Sequence, residues 1–176
     1  MTDWVRASNP MTPITNEAEA RAAARASAIA IFLGVLWGIV GIIYLMTAGQ
    51  AVMEAAMAQA AADAPEMEGM TGVMTQMALW MSVGFVVIQL VLGIVQWTKP
   101  NIVIPIIFVI LVAFGLVSGV AGMMMAGQEG MPDTTATPAW QLWGGLVILV
   151  VQLVLHTAGI RGARQLDKLR FEAANR

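Results

Sequence analysis

Apolar residues in this chain do not alternate with polar ones, nor do they form narrow helical stripes; they gather into long uncharged runs at residues 27–48, 78–98, 102–126 and 139–160. Each run is long enough to cross the ~30 Å of a bilayer's hydrocarbon as a helix rising 1.5 Å per residue. The stretch TKPN (98–101) separates the second and third runs so tightly that a close hairpin is expected there, with Pro105 in the first turn of the third helix, where a missing N–H costs little. The first run exceeds the 7–15 residues of a signal-peptide core and reads as a permanent span.

A second regularity is repetition. LWMSVGFVVIQLVL (79–92) returns as LWGGLVILVVQLVL (142–155), and MTAGQ (46–50) is answered by MMAGQ (124–128). The expected architecture is therefore an all-α membrane protein of four transmembrane helices, formed by tandem duplication of a helical hairpin, with a pseudo-twofold axis along the membrane normal. Residues 1–26 precede the bundle, 49–77 and 127–138 are its external loops, and 161–176 form a basic C-terminal helix. GVLWGIVG and GLVSGVAG supply Gly34, Gly38, Gly41, Gly115, Gly119 and Gly122 as small faces for helix packing, within the bundle or in a homo-oligomer.

Composition agrees with this pattern: 59% of residues are hydrophobic and 11% charged, with a mean hydropathy of +0.76, where a soluble domain carries roughly 25% charge. Charge placement adds an orientation. All nine Lys and Arg, namely Arg6, Arg21, Arg25, Lys99, Arg161, Arg164, Lys168, Arg170 and Arg176, fall on one side of the runs. Glu54, Asp63, Glu66, Glu68, Glu129 and Asp133 fall on the other. The positive-inside rule then places both termini in the cytoplasm. The Ala- and Met-rich, cysteine-free usage points to a bacterial inner membrane. Trp80, Trp97, Trp140 and Trp143 suit interfacial belts, while Trp37 lies deeper.

Polar residues within the runs are few. Ser82, Gln89, Gly93 and Gln96 share one face of the second helix, and Gly145, Gln152, His156 and Gly159 are the corresponding positions of the fourth. If the axis brings these stripes together, Gln89 faces Gln152 and His156 faces Gly93. Such groups serve either as interhelical hydrogen bonds or, in the alternative reading, as a path for a small polar solute or ion with His156 its titratable member. Met67, Met70, Met74 and Met77 form a soft thioether stripe that could handle Cu(I), although no Cys accompanies them. Before the first run, TNEAEARAAARAS reads as a helix start with Thr15 or Asn16 as cap and Glu17 paired with Arg21. After the last, Leu166, Leu169 and Phe171 stand among basic residues, a topology signal or a headgroup-binding surface.

No catalytic motif is found, so neither an enzyme nor a cofactor is expected. The basic cluster is short and juxtamembrane, which argues against nucleic acid. The leading expectation is a membrane scaffold or accessory subunit, in contact with lipid and with other subunits or a second copy of itself. The alternatives are a minimal channel or carrier and external Cu(I) handling.

Overall fold

The computed structural model describes residues 6, 7, 9–49, 51, 71–125 and 138–175. Within them the chain is built on four helices, α1 (Glu17–Met46), α2 (Thr71–Thr98), α3 (Val103–Met125) and α4 (Ala139–Ala174). All four are long and apolar enough to cross a membrane.

Helix α1 starts where its sequence signals start. Asn16 accepts from the Glu19 N–H at 2.9 Å, and the Glu19 carboxylate reaches back to the Thr15 N–H at 2.8 Å. That reciprocal arrangement satisfies donors that the first turn leaves open. Glu17 and Arg21 pair at 2.8 Å along the same face. At the α2–α3 connection, the Asn101 side chain accepts from the N–H groups of Val103 and Ile104, both at 3.0 Å, and so caps α3.

Helix α1 is the central element. It packs along α4 and along α2, and α3 packs on α4. The α1–α4 contact is close because its residues are small: Ala20, Ala22, Ala23, Ala24, Ala26, Ala28 and Ala30 are all buried. Opposite them, a Cβ on Gly159 would fall 2.5 Å from the Ser27 Cβ, and one on Gly162 would collide with the Ala24 backbone nitrogen. Ile31 continues the core against Ile104, Phe108 and Leu92, so that α1, α2 and α3 meet at this end. Towards the other end the helices present apolar side chains outward, among them Leu36, Met46, Phe85, Phe114 and Val117. There α1 and α4 are joined by aromatic edges: Trp140 contacts Trp37 at 6.0 Å and Tyr44 at 5.8 Å between ring centroids. Gly144 leaves space for the Trp37 ring.

This arrangement corrects two expectations. A close α2–α3 hairpin does not form; the two helices share their turn, but α3 packs on α4. A short connection fixes where two helices start, not the angle at which they leave. Nor do α2 and α4 pack along one another, since α1 packs against both, although Gln89 and Gln152 both reach Gly34 of α1. The glycines divide accordingly. Gly34 and Gly38 receive side chains from neighbouring helices, Gly115 and Gly119 receive Leu149 and Leu146, and Gly41 and Gly122 face open space.

The contact geometry predicts an unequal response to a single methyl group. Gly162→Ala forces α1 and α4 apart and should cost about 1–3 kcal/mol, the usual range for overpacking. Gly41→Ala and Gly122→Ala, which meet nothing, should stay within about 0.5 kcal/mol of the parent. Thermal unfolding of the three variants in one detergent measures the difference, and equal melting temperatures would refute the α1–α4 contact.

Candidate functional site

The polar residues of α2 and α4 converge on α1. Their partners there follow at helical spacing. Nearest the α2–α3 turn, the fully buried Gln96 amide donates to the carbonyls of Ala24 at 3.2 Å and Asn101 at 3.1 Å. Its oxygen accepts from the Asn101 N–H at 3.3 Å. One turn further along α1, the Ser27 hydroxyl lies 2.8 Å from His156 Nδ1, and both residues are fully buried. Next, the Gln152 amide donates to the Ala30 carbonyl at 2.9 Å. Last comes Gly34, where a Cβ would stand 2.5 Å from Gln152 Nε2 and 3.2 Å from Gln89 Oε1, so the two glutamine amides meet over that glycine.

The acceptors on α1 are mostly backbone carbonyls, whose second lone pair remains usable after the helical bond is made. Gln96 and Gln152 therefore dock on α1 without breaking its helix. Ser82 is different: its hydroxyl bonds the Ala78 carbonyl of its own helix at 2.9 Å. Gly93 is also different from expectation, because it accommodates Phe32 and Ile31 of α1 rather than facing His156. The imidazole lies between Ser27 and α3, stacked on Phe108 with ring centroids 5.2 Å apart and planes at 20°. Among the described residues, its Nε2 is buried with no hydrogen-bond partner.

A serine 2.8 Å from a histidine invites comparison with a nucleophile and its base. The surroundings oppose that use. Ser27 is fully buried against Gly159, and both residues lie mid-helix, where the nearby N–H groups are committed to the preceding turn rather than to an oxyanion.

Basic side chains gather at the end of the bundle where α1 begins and α4 finishes. Arg25 donates to the Trp97 carbonyl at 3.0 Å, and its guanidinium lies 5.1 Å from the Trp97 ring centroid, closing the C-terminus of α2 with a positive charge. Arg161 donates to the Asn9 carbonyl at 3.0 Å and also to that of Pro10. These bonds hold the segment before α1 against α4, with Ala7 and Ile14 on Ala22 and Ala23. Glu17 also approaches Arg170 across the two helices at 3.9 Å. On this extension Leu166 is buried, Leu169 partly so, and Phe171 exposed.

Of the thioether stripe, Met67 and Met70 lie outside the described residues, Met74 falls on α2, and the Met77 side chain is exposed. The acidic residues of the two external loops also lie outside them. Among the described residues, no three His, Cys, Asp or Glu side chains come together to hold a metal ion.

The stripe on α2 and α4 was visible in the sequence; its partners on α1 were not singled out. Ser27, Ala24 and Ala30 sit in an alanine run whose only signal was small size, and Gly162 sits in a C-terminal segment read for its charge. No protein-family model matches the chain, and the comparisons with curated proteins and with solved structures return no significant match.

Removing these groups separates their roles. Gln152→Leu leaves the Ala30 carbonyl in its helical bond and should cost about 0.6–2 kcal/mol, as interhelical hydrogen bonds in membranes do. Ser27→Ala strips the hydroxyl partner from His156 Nδ1 and should cost about 1–3 kcal/mol, the penalty for an orphaned buried polar group. Unfolding of both variants in mixed detergent, compared with Ser82→Ala as a near-neutral control, tests the ordering.

Proposed function

We propose that the chain is an integral membrane protein of a bacterial inner membrane, with both termini cytoplasmic, that acts as a scaffold or accessory subunit through helix–helix contacts. The observation that carries this reading is the docking of Gln96, Gln152 and His156 onto atoms of α1. Polar groups spent on holding helices together are not available to strip water from a passing solute. The outward faces of α2 and α3 are apolar along their length, from Trp80 and Phe85 to Ile110 and Val117, and suit lipid or the helices of other subunits.

The orientation rests on the basic residues gathered at one end, which the positive-inside rule assigns to the cytoplasm. The two halves are read as descendants of one hairpin on the strength of the repeated Leu-Trp and Gln-Leu-Val-Leu. Their packing has since diverged. The alanine run of α1 admits α4 closely, whereas α3 begins with the bulky Ile104, Ile106, Ile107 and Phe108 and makes no equally extensive contact with α2.

Gentle purification from the native membrane, followed by native mass spectrometry, tests the function. A stoichiometric complex with other membrane subunits, or a defined homo-oligomer, is the expected result. A monomer that supports solute flux into vesicles, lost in the folded Gln89→Leu/Gln152→Leu variant, would replace the scaffold with a conduit. Orientation is checked independently in the cysteine-free chain: Asp133→Cys should react with an impermeant maleimide on intact cells, and Glu172→Cys only after lysis.

A further inference from the structure

We propose that His156 makes the α1–α4 seam a proton-sensitive joint: uptake of a proton by the imidazole opens the contact with Ser27 and Phe108 and lets α1 move away from α4. The proposal goes beyond the scaffold reading and needs no partner protein.

The hydrogen-bond inventory comes first. A neutral imidazole has one donor and one acceptor nitrogen, and the Ser27 hydroxyl can complement either state of Nδ1 at 2.8 Å. In the imidazolium both nitrogens are donors. Nε2 then points a charged N–H into a buried place where it has no hydrogen-bond partner. Among the described residues, nothing anionic is at hand to offset that charge. On α1 the nearest charged group is Arg25, turned to the Trp97 carbonyl; on α4 it is Arg161, turned to Asn9 and Pro10. Helices α2 and α3 carry no titratable group at all, and the turn between them adds only the cation Lys99. Phe108 offers a cation–π contact, an attraction weaker than the hydration that a buried imidazolium gives up.

The second part is steric. Gly159, one turn from His156, sits against the Ser27 Cβ so closely that no methyl group fits between them. The imidazole is fully buried between Ser27 of α1 and Phe108 of α3, so water reaches it from the α1 side only when α1 leaves its seat. Hydrating the charged ring and separating α1 from α4 are one event, so acid favours the separated form. The seam can yield in this way because Ala23, Ala24, Gly159 and Gly162 hold it by proximity, which is lost as soon as the backbones part.

The chain is well suited to the test, with a single histidine and no cysteine. Spin labels at Ile29→Cys on α1 and Thr157→Cys on α4, both exposed positions, report the α1–α4 separation in lipid nanodiscs. Nitrogen-15 histidine labelling reports the ring in the same preparation. Between about pH 8 and about pH 4, one unit beyond the range a histidine switch usually covers, the separation should lengthen by about 2 Å or more, the scale of a helix shift at an interface. It should do so in step with conversion of the ring to imidazolium. In H156Q and H156F the short distance should persist across the range. A ring that stays neutral throughout, a ring that titrates with no change in distance, or an equal opening in the two variants would each overturn the proposal. If neither variant folds, the correlation within the unmodified sequence still decides it.

Discussion

The structure depends on how closely the backbones of α1 and α4 approach. In water an apolar helix is held by the solvent's exclusion of its surface, but hydrocarbon offers no such drive, and contact must come from dispersion and from polar bonds across the interface. Both need short distances. The alanines of α1 and the glycines 159 and 162 of α4 provide them, and larger residues at these positions would not. From that approach follow the burial of Ser27 and His156, the reach of Gln152 to the Ala30 carbonyl, and the extension of both helices beyond the apolar runs as a pair joined by Glu17 and Arg170.

The polar bonds add register to proximity. Alanine and glycine faces can slide along one another at little cost, because one small residue replaces another. Ala24, Ser27, Ala30 and Gly34 mark fixed heights on α1, and Gln96, His156, Gln152 and Gln89 answer them in antiparallel order. A slide of one turn would part His156 from the Ser27 hydroxyl and the two glutamines from the space at Gly34, neither of which recurs along α1 as its carbonyls do. Each bond is worth only about 0.6–2 kcal/mol, yet the alternative registers lose several at once, so specificity exceeds what any one bond contributes to stability.

Much of this was legible beforehand, and the parts that were not share a cause. Run length and hydropathy located the four helices, and the cap at Thr15 or Asn16 and the Glu17–Arg21 pair were readable because each depends only on neighbours in sequence. Long-range placement was harder. The GxxxG pattern pointed to Gly34, Gly38 and Gly41, of which two are filled and one is open. The closest approaches to the backbone of another helix instead involve Gly159 and Gly162, three residues apart and without the motif. Small residues do not say on their own which neighbour they admit. Residues 22–30 are alanine and serine except for Arg25 and Ile29, so no pattern in them could show which faces of α1 would receive α4 and α2.

The two similar stretches nonetheless present α1 with related faces, and their differences are informative. Gln89 and Gln152 occupy matching positions and both reach Gly34. Beyond them the roles are exchanged. On α2 the next position is Gly93, which admits Phe32, and the one after is Gln96, which bonds the Ala24 carbonyl. On α4 the same two positions are His156, which bonds Ser27, and Gly159, which admits the α1 backbone. Each helix thus has one polar group and one gap in this turn, in opposite order. Two identical stripes would compete for the same heights on α1, each needing the same carbonyl and the same space. With the order reversed, Gln96 takes the Ala24 carbonyl while His156 takes the Ser27 hydroxyl, so a single alanine-rich helix can be bonded from both sides at once. His156 stands in this pattern where α2 has Gly93, and it puts the chain's single imidazole at the seam on which the remaining contacts depend.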